Sequence, residues 1–210
     1  MASTSSRTVP GPDGRLRCWW VGSSEEMRAY HDREWGRPVT DDRRLFEKLC
    51  LEGFQAGLSW ATILRKREAF RRAFFDFEPE KVARLGPRRI EALLQDASIV
   101  RHRGKIESTV NNARRVLELR EEKGSLAAHV WSFEPARPRS RRSARVAART
   151  TSPEAVALAA DLKRRGWTFV GPTTVYAFFQ AMGLVNDHVL ACPFGEEVEV
   201  LRRRLRRPRT

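Results

Sequence analysis

Four residues of this chain have types and spacings that suit a metal ion. Cys18 and His31 are separated by twelve residues, and His188 and Cys192 by three, about one helical turn. Zinc favours thiolate and imidazole in a tetrahedral shell, and four protein ligands with no open position make a structural centre. The two pairs lie near opposite ends of the chain, so a shared ion would tie its beginning to its end. The same pattern also suits four unrelated buried side chains, because the twelve-residue gap is not that of common zinc fingers. Spacing alone leaves both readings open. The three cysteines, Cys18, Cys50 and Cys192, are poor material for a disulfide framework and suit a reducing compartment.

A second group suits a flat, positively charged ligand. Glu52 falls inside an otherwise apolar helical stretch, with Gln55 and Ala56 within a turn of it. Trp19, Trp20, Tyr30 and Trp35 precede it and Trp60 follows. Aromatic faces stack on a planar cation while a carboxylate offsets its charge. Core aromatics with a solvent-facing Glu52 would leave the same trace.

A third group suits phosphate. Residues 166–174, GWTFVGPTT, lie between two helical stretches, and a glycine-containing turn before a helix presents free amides at the positive end of a dipole. Such a site would grip a nucleic-acid backbone without reading its sequence. Residues 101–105, RHRGK, are a second basic turn before a helix, equally readable as a solvated turn.

The elements that must position these groups read as helix after helix. Ser23 and Glu26 form a capping box ahead of a helix to about Trp35. Thr40 and Asp41 precede a second, in which Leu45, Phe46, Leu49, Cys50 and Phe54 recur at helical spacing until Gly57. Ser59 caps a third; Pro79, Gly86 and Pro87 punctuate two short ones; a longer one follows Gly104. Residues 135–152 lack apolar periodicity and read as a loop. Helices resume at Pro153 and near Thr173. No alternating β pattern of useful length and no internal repeat is present, so the expected class is all-α. Residues 1–14 read as a disordered leader, 15–195 as the domain, and 196–210 as a basic tail.

The net charge of +14, from 40 Lys and Arg against 26 Asp and Glu, attracts polyanions. Much of it sits in the run 137–149 and the tail 202–209, where charge runs are commonly solvated. No stretch of eighteen apolar residues exists to span a membrane, and the amino-terminal segment lacks the apolar core of a secretory signal, so a cytoplasmic protein is expected.

Taken as blocks, residues 29–36 (AYHDREWG), 51–60 (LEGFQAGLSW), 99–105 (IVRHRGK), 130–133 (VWSF), and 169–171 (FVG) through 183–188 (GLVNDH) strongly resemble the 3-methyladenine DNA glycosylase I family. The likeness spans residues 17–192. It implies a helix-hairpin-helix glycosylase fold and one structural Zn2+ on Cys18, His31, His188 and Cys192. It also implies a base-recognising carboxylate at Glu52, stacking by Trp60 and Tyr30, and a pocket wall at Trp20. By the same likeness Leu58 wedges into the duplex with Gln55 beside it, and Val170, Gly171 and Thr173 belong to the DNA-gripping hairpin.

The implied activity is hydrolysis of the N-glycosidic bond of 3-methyladenine in double-stranded alkylated DNA, by a monomer that does not cut the strand. Bifunctional relatives carry a lysine where Thr173 stands. The alternative is a catalytically inactive DNA-damage binder or a structural zinc DNA-binding protein. Met27 replaces a tyrosine of some members. Asp187 lies near the aspartate that assists catalysis in many helix-hairpin-helix enzymes, but the family likeness does not assign it that role.

Overall fold

In the computed structural model, residues 8–136 and 149–209 are described. Short polar side chains set where its helices begin. Ser24 accepts from the Met27 amide to open α1 (Glu25–Arg33), Asp41 from Arg44 to open α2 (Asp42–Gln55), and Ser59 from Thr62 to open α3 (Trp60–Ala73). Each satisfies an amide that the first helical turn leaves without an internal partner. The Asp41 and Ser59 caps fall where the sequence places them; the first cap is Ser24 rather than the Ser23–Glu26 box. Proline in the first turn opens α4 (Pro79–Val82) and α5 (Pro87–Gln95). His102 opens α6 (Arg103–Lys123), and Ser125 opens α7 (Leu126–Trp131), a helix too short for apolar periodicity to announce. Then come α8 (Pro153–Arg164), α9 (Pro172–Ala181) and α10 (Phe194–Arg204).

Helix α2 is central because its apolar residues surround it. Leu45, Phe46, Leu49, Leu51 and Phe54 are all buried, and the helix packs against α3, α6, α7 and α9. Burying each such side chain contributes about 1.5–3 kcal/mol relative to exposure. Helix α8 lies on α9, and α4 and α5 lie on α6. The segment after α1 runs beside the segment after α9: Gly36 donates to the Ala181 carbonyl and Val39 to that of Met182. Gly183 makes this approach possible. Its φ is +80°, and a Cβ there would stand 2.6 Å from the Pro38 nitrogen.

Two expectations are corrected at the ends of the chain. Thr8–Pro10 (β1) pairs antiparallel with Leu16–Cys18 (β2), Thr8 opposite Cys18, so the structured part begins before residue 15 and includes a small sheet. Strands of three residues are too short to show alternation. Their turn is held by buried Arg17, whose guanidinium meets both Asp13 and Asp32 at 2.7 Å. At the other end, residues read as a basic tail continue α10 to Arg204. Phe194, Val198 and Arg202 form its inner face, and Arg202 reaches Glu134 and the Leu184 carbonyl, each at 2.9 Å. Residues 1–7 of the leader and 137–148 of the arginine-rich run lie outside the described residues. No described helix is long and apolar enough to cross a membrane.

Candidate functional site

Strand β2, helix α1 and the segment after α9 bring Cys18, His31 and Cys192 together. Their ligand atoms lie within 4.8 Å of one another and all three residues are buried. The Nε2 of His31 is 3.6 Å from the Cys192 sulfur. The Cys192 thiol is held well below its usual range by a hydrogen bond from Cys18 and by His31, against the opposing effect of burial. His188 adjoins this trio through its ring, 5.0 Å from that of His31 and edge-on to it, rather than inside the same 4.8 Å group.

Outer partners orient both imidazoles. His31 Nδ1 meets Asp32 at 2.8 Å, and His188 Nδ1 meets the Asn186 side-chain oxygen at 3.0 Å. Engaging Nδ1 in this way fixes the orientation of a ring, as outer partners do for imidazoles that bind a metal. Two thiols and two imidazoles so arranged are a donor set suited to zinc.

Beside the cluster is an open cavity of about 520 Å³, walled by Trp20, Met27, Tyr30, Gln55 and Trp60, with Glu52 in its lining. The volume falls within the range of small-molecule sites. The ring centroids of Tyr30 and Trp60 are 5.1 Å apart, and those of Trp20 and Tyr30 6.4 Å. Glu52 is only 6% exposed. Arg149 and Thr150, at the end of the arginine-rich run, also line the cavity.

Sequence reasoning missed Lys48. It stands one helical turn before Glu52 on α2, is 6% exposed, and places its ammonium 2.7 Å from Glu52 Oε1. The same nitrogen donates to the Tyr30 hydroxyl at 2.8 Å and lies 3.2 Å from the Trp60 ring centroid. Burial draws the Lys48 pKa down, opposed by Glu52; burial and then Glu52 drive the Tyr30 phenol up. The available signal was the four-residue spacing, which puts a lysine and a glutamate on one helix face.

Two loops carry the remaining sequence-predicted residues, and the first, between Gln55 and Ser59 of the cavity lining, lies at the cavity. After Gln55 the chain turns through Gly57, at φ +79°, and presents Leu58, 42% exposed. Lys105 holds this loop by donating to the carbonyls of Phe54 at 3.0 Å and Ala56 at 2.6 Å. Lys105 is therefore buried and committed to the protein, unlike the solvated or phosphate-facing residue its basic turn suggests. The second loop joins α8 to α9. Asn112 grips it on both sides, accepting from the Thr168 amide at 3.0 Å and donating to the Thr168 carbonyl at 2.9 Å. Val170 is buried, Gly171 caps α9, and Thr173 is exposed in its first turn. Phe169 is exposed with φ +56°, a strained setting for a bulky residue. Asp187 is buried, accepting from Tyr176 at 2.6 Å and Gln180 at 2.9 Å.

A family model described as methyladenine glycosylase matches residues 20–196, most of the chain and every residue of the two clusters except Cys18. The chain belongs to the methyladenine glycosylase family, and with it to the enzymes that hydrolyse N-glycosyl bonds. It is 48% identical over 177 residues to DNA-3-methyladenine glycosylase 1 of Escherichia coli K12, covering 84% of this chain and 95% of that one. It is 44% identical to DNA-3-methyladenine glycosylase of Haemophilus influenzae, covering 84% and 96%. A crystal structure of 3-methyladenine DNA glycosylase I superposes with a TM-score of 0.80 at 47% identity, over 84% of this chain and 98% of the other. The Staphylococcus aureus enzyme, solved for the basis of its 3-methyladenine recognition, gives 0.78 at 40% identity, over 82% and 92%.

Proposed function

We propose that this chain removes 3-methyladenine from double-stranded alkylated DNA by hydrolysing its N-glycosidic bond, without cutting the strand. The observation that carries the reading is Glu52: a carboxylate buried in the wall of an open aromatic cavity that Tyr30 and Trp60 also line.

The target atom lies inside the base stack, so the nucleotide must leave the duplex, at a cost of a few kcal/mol that is smaller for damaged bases. Leu58, exposed on its braced loop, fills the vacated gap, with Gln55 beside it. The turn before α9 holds the phosphates: Gly171 and Thr173 offer amides at a helix start, and buried Val170 contributes backbone rather than side chain. Methylation at N3 makes adenine cationic and hence a good leaving group, so no proton need be delivered to expel it. Trp60 and Tyr30 stack on the base, Trp20 walls the cavity, and Glu52 offsets its charge. The bond between base and sugar breaks with its electron pair going to the base, and water captures the oxocarbenium-like sugar. With Thr173 in place of a lysine, no amine forms a Schiff base there.

Zinc is the ion that Cys18, His31, His188 and Cys192 would hold, and it would supply a cross-link between distant parts of the chain. Four protein ligands leave it no open position for substrate. The protein acts as a monomer in this reading.

The test is release of free 3-methyladenine from methylated duplex DNA by the full chain. Glu52→Ala is expected to lose at least about 100-fold in rate, the scale at which one well-placed electrostatic group counts. Normal excision by that variant would overturn the pocket assignment. Binding of damaged DNA without base release by the unaltered protein would favour the inactive-binder alternative.

A further inference from the structure

The Lys48 ammonium has three protons and three partners: Glu52 Oε1 at 2.7 Å, the Tyr30 hydroxyl at 2.8 Å and the face of Trp60 at 3.2 Å. These are the three side chains to which base recognition is assigned above. Lys48 does not line the 520 Å³ cavity. It lines a separate, narrow crevice, and Tyr30 and Trp60 are walls of both spaces. The lysine therefore meets the recognition residues from outside the cavity.

We infer that Lys48 sets the charge selectivity of the base pocket. It is a built-in cation that takes, from outside the cavity, the carboxylate and ring electrons a positively charged base would take from within it. The inference rests on the cavity being the base pocket.

A lone buried carboxylate would attract a cationic purine strongly, because little solvent screens it. A carboxylate paired at 2.7 Å presents a dipole, whose pull on a second cation falls more steeply with distance. The Trp60 ring is also shared, since one cation already draws on its quadrupole. No other carboxylate of the crevice stands in for Glu52: Glu34 is bound by Arg67 at 2.6 Å and Glu47 by Arg71 at 2.8 Å. With Lys48 in place, Glu52 thus offsets the charge of a bound base only in part, and shape and stacking carry the rest of the selection.

The experiment is a double-mutant cycle on ligand charge, using the full chain, K48M, E52Q and K48M/E52Q. Calorimetric titration measures Kd for 9-methyladenine, which is uncharged, and for 3,9-dimethyladeninium, a permanent cation. Their ratio cancels losses of affinity that come from altered packing. K48M is expected to raise the preference for the cation at least about fivefold over the parent, because the carboxylate is then unopposed. The parent and K48M/E52Q are expected to agree within about threefold, and E52Q to rank lowest. A K48M ratio less than fivefold above the parent's, with both well above that of K48M/E52Q, would overturn the inference and leave the pocket reading intact. Four equal ratios would mean that the base does not sit against Glu52, and the pocket reading would fail as well. Should the unpaired carboxylate keep K48M from folding, the parent and the double variant, neither with an unpaired buried charge, decide the matter. A parent ratio about tenfold above the double variant's would show Glu52 acting as a lone anion and overturn the role of Lys48.

Discussion

Two buried polar clusters flank one indole: the Trp20 ring is 5.3 Å from that of His31 and 6.4 Å from that of Tyr30. The first, Cys18, His31 and Cys192 with His188 adjoining, is closed. Its ligand atoms face one another, and its outward nitrogens are occupied by Asp32 and Asn186. The second, Lys48, Glu52, Tyr30 and Trp60, is closed around Lys48 and open to a cavity against its rings. The first gathers residues from both ends of the chain; the second draws two residues from a single helix and one from each of two neighbours. A closed cluster of distant residues contributes to stability, whereas a half-open one leaves interactions for a ligand to complete. Groups removed from the first should therefore weaken the fold, and groups removed from the second should weaken catalysis.

The largest expected effect tests the closed cluster. The purified chain should carry one zinc, and stripping it should lower the melting temperature by more than about 10 °C, since structural zinc contributes folding free energy directly. Atomic emission that finds no zinc in protein prepared without chelators would end that half of the contrast. Next, Trp60→Ala should lower kcat/KM for excision by about 10- to 100-fold, the scale of one lost base–aromatic stack. Its melting temperature should fall far less than on metal loss, and a thermal melt beside the kinetics checks both. Asp32→Asn weakens only the support of His31. It should reduce zinc affinity at least about tenfold in a competition titration while leaving excision in saturating zinc unchanged. Smallest, Leu58→Ala should slow excision from duplex about fivefold, as a lost apolar contact of ~1 kcal/mol would. It should leave binding of the free base unaltered, and a change in that binding would place Leu58 inside the pocket rather than at its rim.

Much of the frame is legible in the chain itself. Asp41 and Ser59 cap the helices their positions announce, and the apolar spacing from Leu45 to Phe54 marks the face that α2 buries. Glu52, Tyr30, Trp20 and Trp60 are singled out by residue type, and they do line one cavity. Lys48 was overlooked because a lysine beside Glu47 on a helix usually faces water, and only its contacts with Tyr30 of α1 and Trp60 of α3 show this one enclosed. The hairpin β1–β2 was missed because three-residue strands show no periodicity. The docking of α10 was missed because a run of arginines gives no sign that Arg202 will find Glu134.

Local order was settled by the sequence: caps, prolines and apolar spacing act between residues a few positions apart, and that range is written directly in the chain. Juxtaposition was decided by the tertiary structure. Which nitrogen of His31 turns inward, which side of Trp60 meets a cation, and whether Lys105 faces water or a carbonyl all depend on contacts between segments far apart in the chain. Such contacts leave little local trace, because they are selected by the shape and charge of the partner surface.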